Sequence, residues 1–373
     1  MKRSWVATCL LLVALAYAAH AQSLDLAIGG YGVGLGNSRN ITGLRLNFVD
    51  HNVESVNGIN LTFWKPEASP RAEINGLSIG LVGFDADRIT GLTVAVVGMS
   101  ARLLRGISIA GVGIESETIE GLMVAGVGSG ASTIKGVSIA GIGLGAQDVT
   151  GICVGGIGAG ANDIRGISIA GVGFGAESVK GVAVSLVGMG AEDEFIGLGV
   201  AGIGQGADEA KGIFLAGVGL GASSFTGVGV AGVGVGAQEL RGLAIAGVGV
   251  GANEITGLTI GGIGVGGQDI SGVTLGGIGV GGEDVSGLAA GALGVGGERV
   301  TGAAIAGLYL KAEDYFRGFG TGALTRIGEQ HGLTIGLVNI ASELHGVQLG
   351  ILNYAGNNSG LLKVLPLFNY HRP

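Results

Sequence analysis

Along most of the chain the aliphatic residues return in a fixed pattern. In GISIAGVGFGAESVK, Gly166–Lys180, they stand at the second, fourth, seventh, ninth and fourteenth places: Ile167, Ile169, Val172, Phe174 and Val179. Spacings of two are strand spacings, because successive side chains of a strand point to opposite faces. Polar residues gather near the end of each unit, as Glu177, Ser178 and Lys180 do here, and as Asn162, Asp163, Arg165 and Gln238, Glu239, Arg241 do elsewhere. The pattern predicts short strands with one solvated edge. It argues against helix, since each glycine in a helix interior costs about 1 kcal/mol relative to alanine, and this unit holds Gly166, Gly171, Gly173 and Gly175.

The unit recurs from Gly43, Gly58, Gly76 and Gly91 onward, mostly every fifteen residues, to Gly360. The step is eighteen between Gly58 and Gly76, where Pro66 and Pro70 mark a loop. It is sixteen after Gly181 and Gly302 and fourteen in the last units. A lone coil of this length cannot bury its own apolar side chains, but stacked coils can, through parallel ladders about 4.8 Å apart. The expectation is an all-β chain forming a single elongated β-solenoid of about 22 coils of 14–15 residues. The fourth, ninth and fourteenth positions, five apart, would each aim one side chain inward from one of three sides. Like would then stack on like, as in Val235, Val250, Val265, Val280 and Val295. The third, fifth, sixth, eighth and tenth positions, largely Ser, Ala or Gly, would form a low-charge outer surface. The alternative is an outer-membrane-type antiparallel β-barrel, with each unit a stave and a turn. Against the barrel, both alternate residue sets are apolar or glycine, and only 5% of residues are aromatic.

Residues 1–21 have the layout of a secretory signal: Lys2 and Arg3, an apolar run from Trp5 to Ala18, and Ala19-His20-Ala21 before Gln22. The chain then divides into an N-terminal cap (22–42), the tandem repeat domain (43–360) and a C-terminal cap (361–373). Cleavage would remove Cys9 and leave Cys153 as the one thiol, with no intrachain disulfide to form.

Composition narrows the class further. Glycine supplies 82 residues and proline 4, while the hydrophobic share is 47% and the charged share 13%. A flexible glycine linker would be polar, and collagen would need glycine at every third place with abundant proline. Without Lys2 and Arg3 there are 18 basic against 28 acidic residues, so a basic face for nucleic acid is not expected.

The last units read GLTIGLVNIASELH (332–345) and GVQLGILNYAGNNS (346–359), and an early one GLSIGLVGFDADRIT (76–90). These resemble bacterial envelope surface-repeat proteins whose units run G-[LVF]-x-[IL]-G-L-[IV]-N-x-A. The resemblance is close over 318–373 and looser in the middle units, where glycine replaces the asparagine. It implies an exported envelope location and a repeat class, and it supplies no reaction. Asn339 and Asn353 match the asparagine, with Asn369 a further candidate, and are expected to stack at a coil corner and satisfy backbone groups there.

Candidate chemistry is sparse. Stretches such as GVGFGA (171–176) match a dinucleotide fingerprint on paper, but a true fingerprint occurs once, between a strand and a long helix. Corner glycines explain the match. His331 and His345 stand at equivalent places in adjacent units with Glu343 nearby, where they could share a metal; solvated edge residues are the simpler reading. Cys153, at the third position, reads as a small filler. Glu192, Asp193, Glu194, Glu283 and Asp284 fall on the polar edge with Lys135, Arg165, Lys180, Lys211 and Arg241, reading as a solvated charge ladder. A Gly-Gly-x-Gly-x-Asp calcium pattern and Thr-x-Thr ice-binding rows are missing.

No catalytic, cofactor-binding or metal residue is therefore assigned, and no cofactor. The expectation is a non-enzymatic structural or interaction protein of the bacterial cell envelope, exported to the periplasm, outer membrane or cell surface. Its partner would be an unknown protein or envelope component, with membrane-surface contact and self-association as further options. A membrane-embedded or membrane-associated β-assembly is the alternative, and an enzyme the remote one.

Overall fold

The computed structural model describes residues 23–64, 66, 67 and 69–371. The signal-peptide reading, with Lys2, Arg3 and Cys9, falls on residues outside these. Two compact units divide the chain, the first ending at Glu177 and the second beginning at Ser178.

Each unit is a β-solenoid of parallel coils in register. In the first, Val149 pairs with Ile134 on one side and Ile164 on the other. In the second, Val235, Val250, Val265, Val280 and Val295 are successive partners in one ladder. Residues one repeat apart thus stack directly, and the barrel alternative is excluded. Among the described residues, strand direction reverses at two places. Leu24–Ile28 forms an antiparallel hairpin with Tyr31–Leu35, and Val364–His371 runs antiparallel to Val338–Ala355. Parallel stacking begins earlier than the repeat suggests, since Gly32 already pairs with Gly43 in register.

The coil Gly242–Thr256 shows how the repeat is built. Ala244, Ala246, Val250, Ala252 and Ile255 are buried, the third, fifth, ninth, eleventh and fourteenth positions. Sequence reasoning placed the fourth position inward, and the structure corrects this: Ile169 is 40% exposed and Ile305 44%. The reason is room. The ninth and fourteenth positions carry most of the large side chains, so the remaining side adds mainly small ones from its third and fifth positions, with Met123 and Phe214 as exceptions. Strand alternation then turns the aliphatic second and fourth positions outward. The outer surface is correspondingly richer in Ile, Leu and Val than the Ser/Ala/Gly surface expected.

The fourteenth position forms the core row of the first unit: Val56, Ile74, Ile89, Leu104, Ile119, Ile134, Val149 and Ile164, all fully buried. Burying each stabilises the stack by roughly 2 kcal/mol relative to exposure. In the second unit this row meets a block of phenylalanines. Phe195 and Phe225 flank Ala210 at the fourteenth position, while Gly199 and Gly229 flank Phe214 at the third. A large side chain on one row sits against a small one on the other. A Cβ at Gly229 would lie 2.8 Å from Phe225 Cζ, and one at Gly199 2.9 Å from Phe214 Cδ1. The rings meet edge to face at 5.0 and 5.7 Å, an arrangement their quadrupoles favour. Gln205 closes the block, donating from Nε2 to Leu215 O at 2.9 Å.

Opening glycines are dictated by the stack. From Gly43 to Gly346 their φ lies between 100° and 156°, a range closed to residues with a Cβ. A Cβ on Gly242 would also stand 2.2 Å from the carbonyl oxygen of Gly227, one coil earlier. Changes of step length fall at corners. The extra residue after Gly181 makes a bulge between Ala191 and Glu194. The fourteen-residue step shortens the bend after the first side, from three residues between Ile305 and Tyr309 to two between Thr321 and Leu324.

Near both chain ends the core turns polar. Arg45 is fully buried; its Nη1 donates to Asp50 at 2.5 Å and Asn60 at 3.0 Å, and its Nη2 to Asn37 at 3.1 Å. Near the other end Asn339 donates to Asn353 Oδ1 at 2.7 Å and to Leu349 O at 3.0 Å. These asparagines lie inside the coil rather than at a corner, in the row of Thr325. Asn369 lies apart from that row, opposite Gln348 in the antiparallel strand.

Val250→Asp is expected to lower stability by several kcal/mol, because it buries an unpaired carboxylate between Val235 and Val265. Glu254→Lys, on the exposed edge, should change stability by about 0.5 kcal/mol or less; equal losses would contradict the inward and outward assignments. A second pair of variants separates strain from composition. Gly242→Ala should destabilise by at least ~1–3 kcal/mol through its backbone conformation. Gly236→Ala, where a Cβ meets nothing within 4 Å, should be neutral or slightly stabilising. Chemical denaturation followed by circular dichroism reads all four.

Candidate functional site

The three sides of a coil differ in chemistry. The first side turns its second and fourth residues outward, and the bend after it exposes the seventh. In the first unit the seventh position forms the row Val97, Val112, Val127, Ile142 and Ile157, with Ile142 49% exposed. In the second unit it forms Ile203, Val218, Val233, Val248, Ile263 and Ile278. Stacked neighbours cover much of each residue from above and below, so these are rows open along their whole outer edge. The second side shows mostly glycine backbone, as at Gly234 and Gly236. Its amide and carbonyl groups are committed to the ladder, Gly234 pairing with Gly249 and Gly236 with Gly251.

The third side carries the charge. Arg102 pairs with Asp87 at 2.7 Å and Arg105 with Glu120 at 2.6 Å, each across one repeat. In the second unit Lys180 pairs with Glu194 at 2.5 Å, and Arg299 with Asp284. Lys211 and Arg241 pair within their own coils, with Glu209 and Glu239. The hydrogen bond from Arg102 holds the Asp87 carboxyl below its usual range, and Lys180 does the same for Glu194. All these pairs are solvated, so each contributes little to stability. Their effect is to keep this side wet.

Each coil is therefore amphipathic: one side charged, one aliphatic, one of bare glycine backbone. Sequence reasoning found the charged side and missed the aliphatic one. The missed signal was the alternation itself, with serine, threonine or alanine at the third position between two large aliphatics, as in Ile167-Ser168-Ile169.

The dinucleotide-like stretches have no phosphate cradle. Gly173 and Gly175 open the strand Gly173–Ser185, and the equivalent Gly143 and Gly145 pair in register with Gly158 and Gly160. Cys153 is fully buried at the third position, its thiol 3.1 Å from Ser168 Oγ. Burial pushes that thiol above its ordinary pKa, the opposite of an activated nucleophile. His51 pairs with Glu67 in the long loop of the first unit, far in sequence from the other histidines.

The structure brings His331 and His345 together. They are register partners, their rings stacked at 4.7 Å. Glu329, which sequence reasoning did not single out, lies closer to them than Glu343. Its Oε1 is 2.7 Å from His331 Nε2 and 3.9 Å from His345 Nε2, against 4.0 Å from Glu343 to His345.

A protein beginning at Gln22 should react with a disulfide reagent such as DTNB only on unfolding. One thiol should be released in guanidinium and none over the same interval in buffer. Fast native labelling would show that Cys153 is accessible.

No family model matches this chain, and no curated protein and no solved structure matches it either.

Proposed function

We propose that this is a non-enzymatic, exported protein of the bacterial cell envelope that works by laying the aliphatic side of its coils against a lipid surface. The observation that carries the reading is the set of exposed Val, Ile and Leu rows at the second, fourth and seventh positions. Contiguous apolar surface beyond a few hundred Å² marks an interaction site in soluble proteins.

Three features favour lipid over a specific protein partner. The rows repeat the same small set of aliphatic side chains, and protein interfaces instead concentrate affinity in aromatic and arginine anchors. The backbone is paired along the ladders, so contact with hydrocarbon leaves few amide or carbonyl groups bare. The charged side stands apart from the aliphatic one, which suits a body resting in the membrane interface and opposes one sunk through it. The acidic balance of the chain adds no attraction to anionic headgroups, so burial of aliphatic side chains is the driving force.

Flotation of the mature protein with phosphatidylcholine vesicles tests this. It should rise with the vesicles and stay bound in high salt. The triple variant Val218→Asn, Val233→Asn, Val248→Asn should remain folded by circular dichroism and lose most of the binding. Protein that stays at the bottom, washes off in salt, or floats equally well as the triple variant overturns the reading. A concentration-dependent dimer abolished by the same variant, without flotation, would replace lipid with a second copy.

A further inference from the structure

The shortened coils near the C-terminus place three ligand-type atoms in one spot. One carboxylate oxygen of Glu329 and one ring nitrogen each of His331 and His345 lie within 4.8 Å of one another. We propose that these residues form a binding site for a divalent transition-metal ion of zinc's character, outside the lipid-binding reading and independent of it.

Register makes the site. Glu329 and His331 are two apart on one strand, so both side chains leave the same face, and His345 is the partner of His331 on the next coil. All three side chains are half-buried, so the atoms are held yet reachable from solvent. Two imidazoles and one carboxylate are a borderline-soft donor set, suited to zinc, cobalt, nickel or copper and poor for calcium or magnesium.

The separations can be compared with those a metal ion requires. Zinc bonds to nitrogen and oxygen run about 2.0–2.2 Å, which sets tetrahedral ligand atoms roughly 3.3 Å apart. The Glu329–His331 separation of 2.7 Å must open and the Glu329–His345 separation of 3.9 Å must close. Each is a change of about half an ångström; the two histidine nitrogens, within 4.8 Å of each other, must also converge, which turns the stacked rings so that both in-plane lone pairs meet the ion. His345 loses no hydrogen bond in the process. Its Nδ1 is buried without a partner, and its Nε2 stands 3.9 Å from a Glu329 carboxylate oxygen and 4.0 Å from one of Glu343. His331 gives up its contact with Glu329, which the shared ion replaces.

Aromatic, acidic and basic neighbours surround the pair. Tyr315 packs against His331 at 5.2 Å, and His371 meets His345 edge to face at 6.1 Å. His371 is itself engaged, with Nδ1 2.6 Å from Asn358. Glu343 is the register partner of Glu329 and sits where it can take a fourth position or orient a bound water. Arg317, the partner of His331 on the preceding coil, is exposed and opposes the site with its charge.

Calorimetric titration of the mature protein with zinc chloride tests the proposal. The expected result is one ion per chain at micromolar affinity or tighter. Removing a direct ligand should cost at least the roughly tenfold to hundredfold that outer-sphere partners command. His331→Asn and His345→Asn should each weaken binding by that much, as should Glu329→Gln. His51→Asn, in the other compact unit and not part of the cluster, should bind as the unaltered protein does. Circular dichroism on each variant confirms the fold, and histidine ring resonances should shift on zinc addition at His331 and His345. Binding weaker than millimolar, or binding that all three cluster variants leave unchanged, overturns the site.

Discussion

The architecture depends on how closely one coil can approach the next. Parallel ladders hold equivalent backbones about 4.8 Å apart, and at the opening corner the chain turns with a positive φ directly beneath the same corner of its neighbour. At Gly242 there is no room for even a methyl group above the Gly227 carbonyl. That steric limit accounts for the repeated glycine. It also accounts for the constancy of the fifteen-residue step, since extra or missing residues are tolerated only at bends.

Once coils are locked at that spacing, their narrow interior decides which side chains turn in. Two large positions and three small ones fill it. The aliphatic residues left over have no inside to go to, and they appear in rows on the outer surface. The amphipathic cross-section is thus a consequence of geometry: glycine backbone on one side, aliphatic rows on another, and ion pairs on the third.

Much of this was readable from the chain. Periodicity gave the repeat, and the apolar character of both alternate residue sets favoured the solenoid, its parallel register and the Val235–Val295 ladder over a barrel of the same period. The charged edge was equally plain, since charges cluster at the unit's end. Which aliphatic residues face inward was not readable in the same way. Ile167, Ile169 and Val172 are as apolar as Phe174 and Val179, and only the width of the folded coil separates them. Sequence suggested that hydrophobic means buried, and the small residues Ser168 and Ala170 hold the inner places instead. The histidine pair was legible from its fourteen-residue spacing. Glu329 was not, because it belongs to the site through a two-residue strand offset. Arg45 and Asp50 gave no signal at all: their burial depends on Asn37 and Asn60 arriving from other coils.

The alternation of phenylalanine against alanine and glycine in the second unit has a bearing on how such a chain finds its fold. Units this alike can pair with the wrong neighbour at small energetic cost, sliding by a whole coil and trapping the chain. Phe195, Phe214 and Phe225 fit only against Gly199, Ala210 and Gly229, so a slide through this block drives rings into one another or leaves holes. A bulky landmark in an otherwise monotonous polymer thereby fixes the count, much as a keyed tooth sets the phase of a zip.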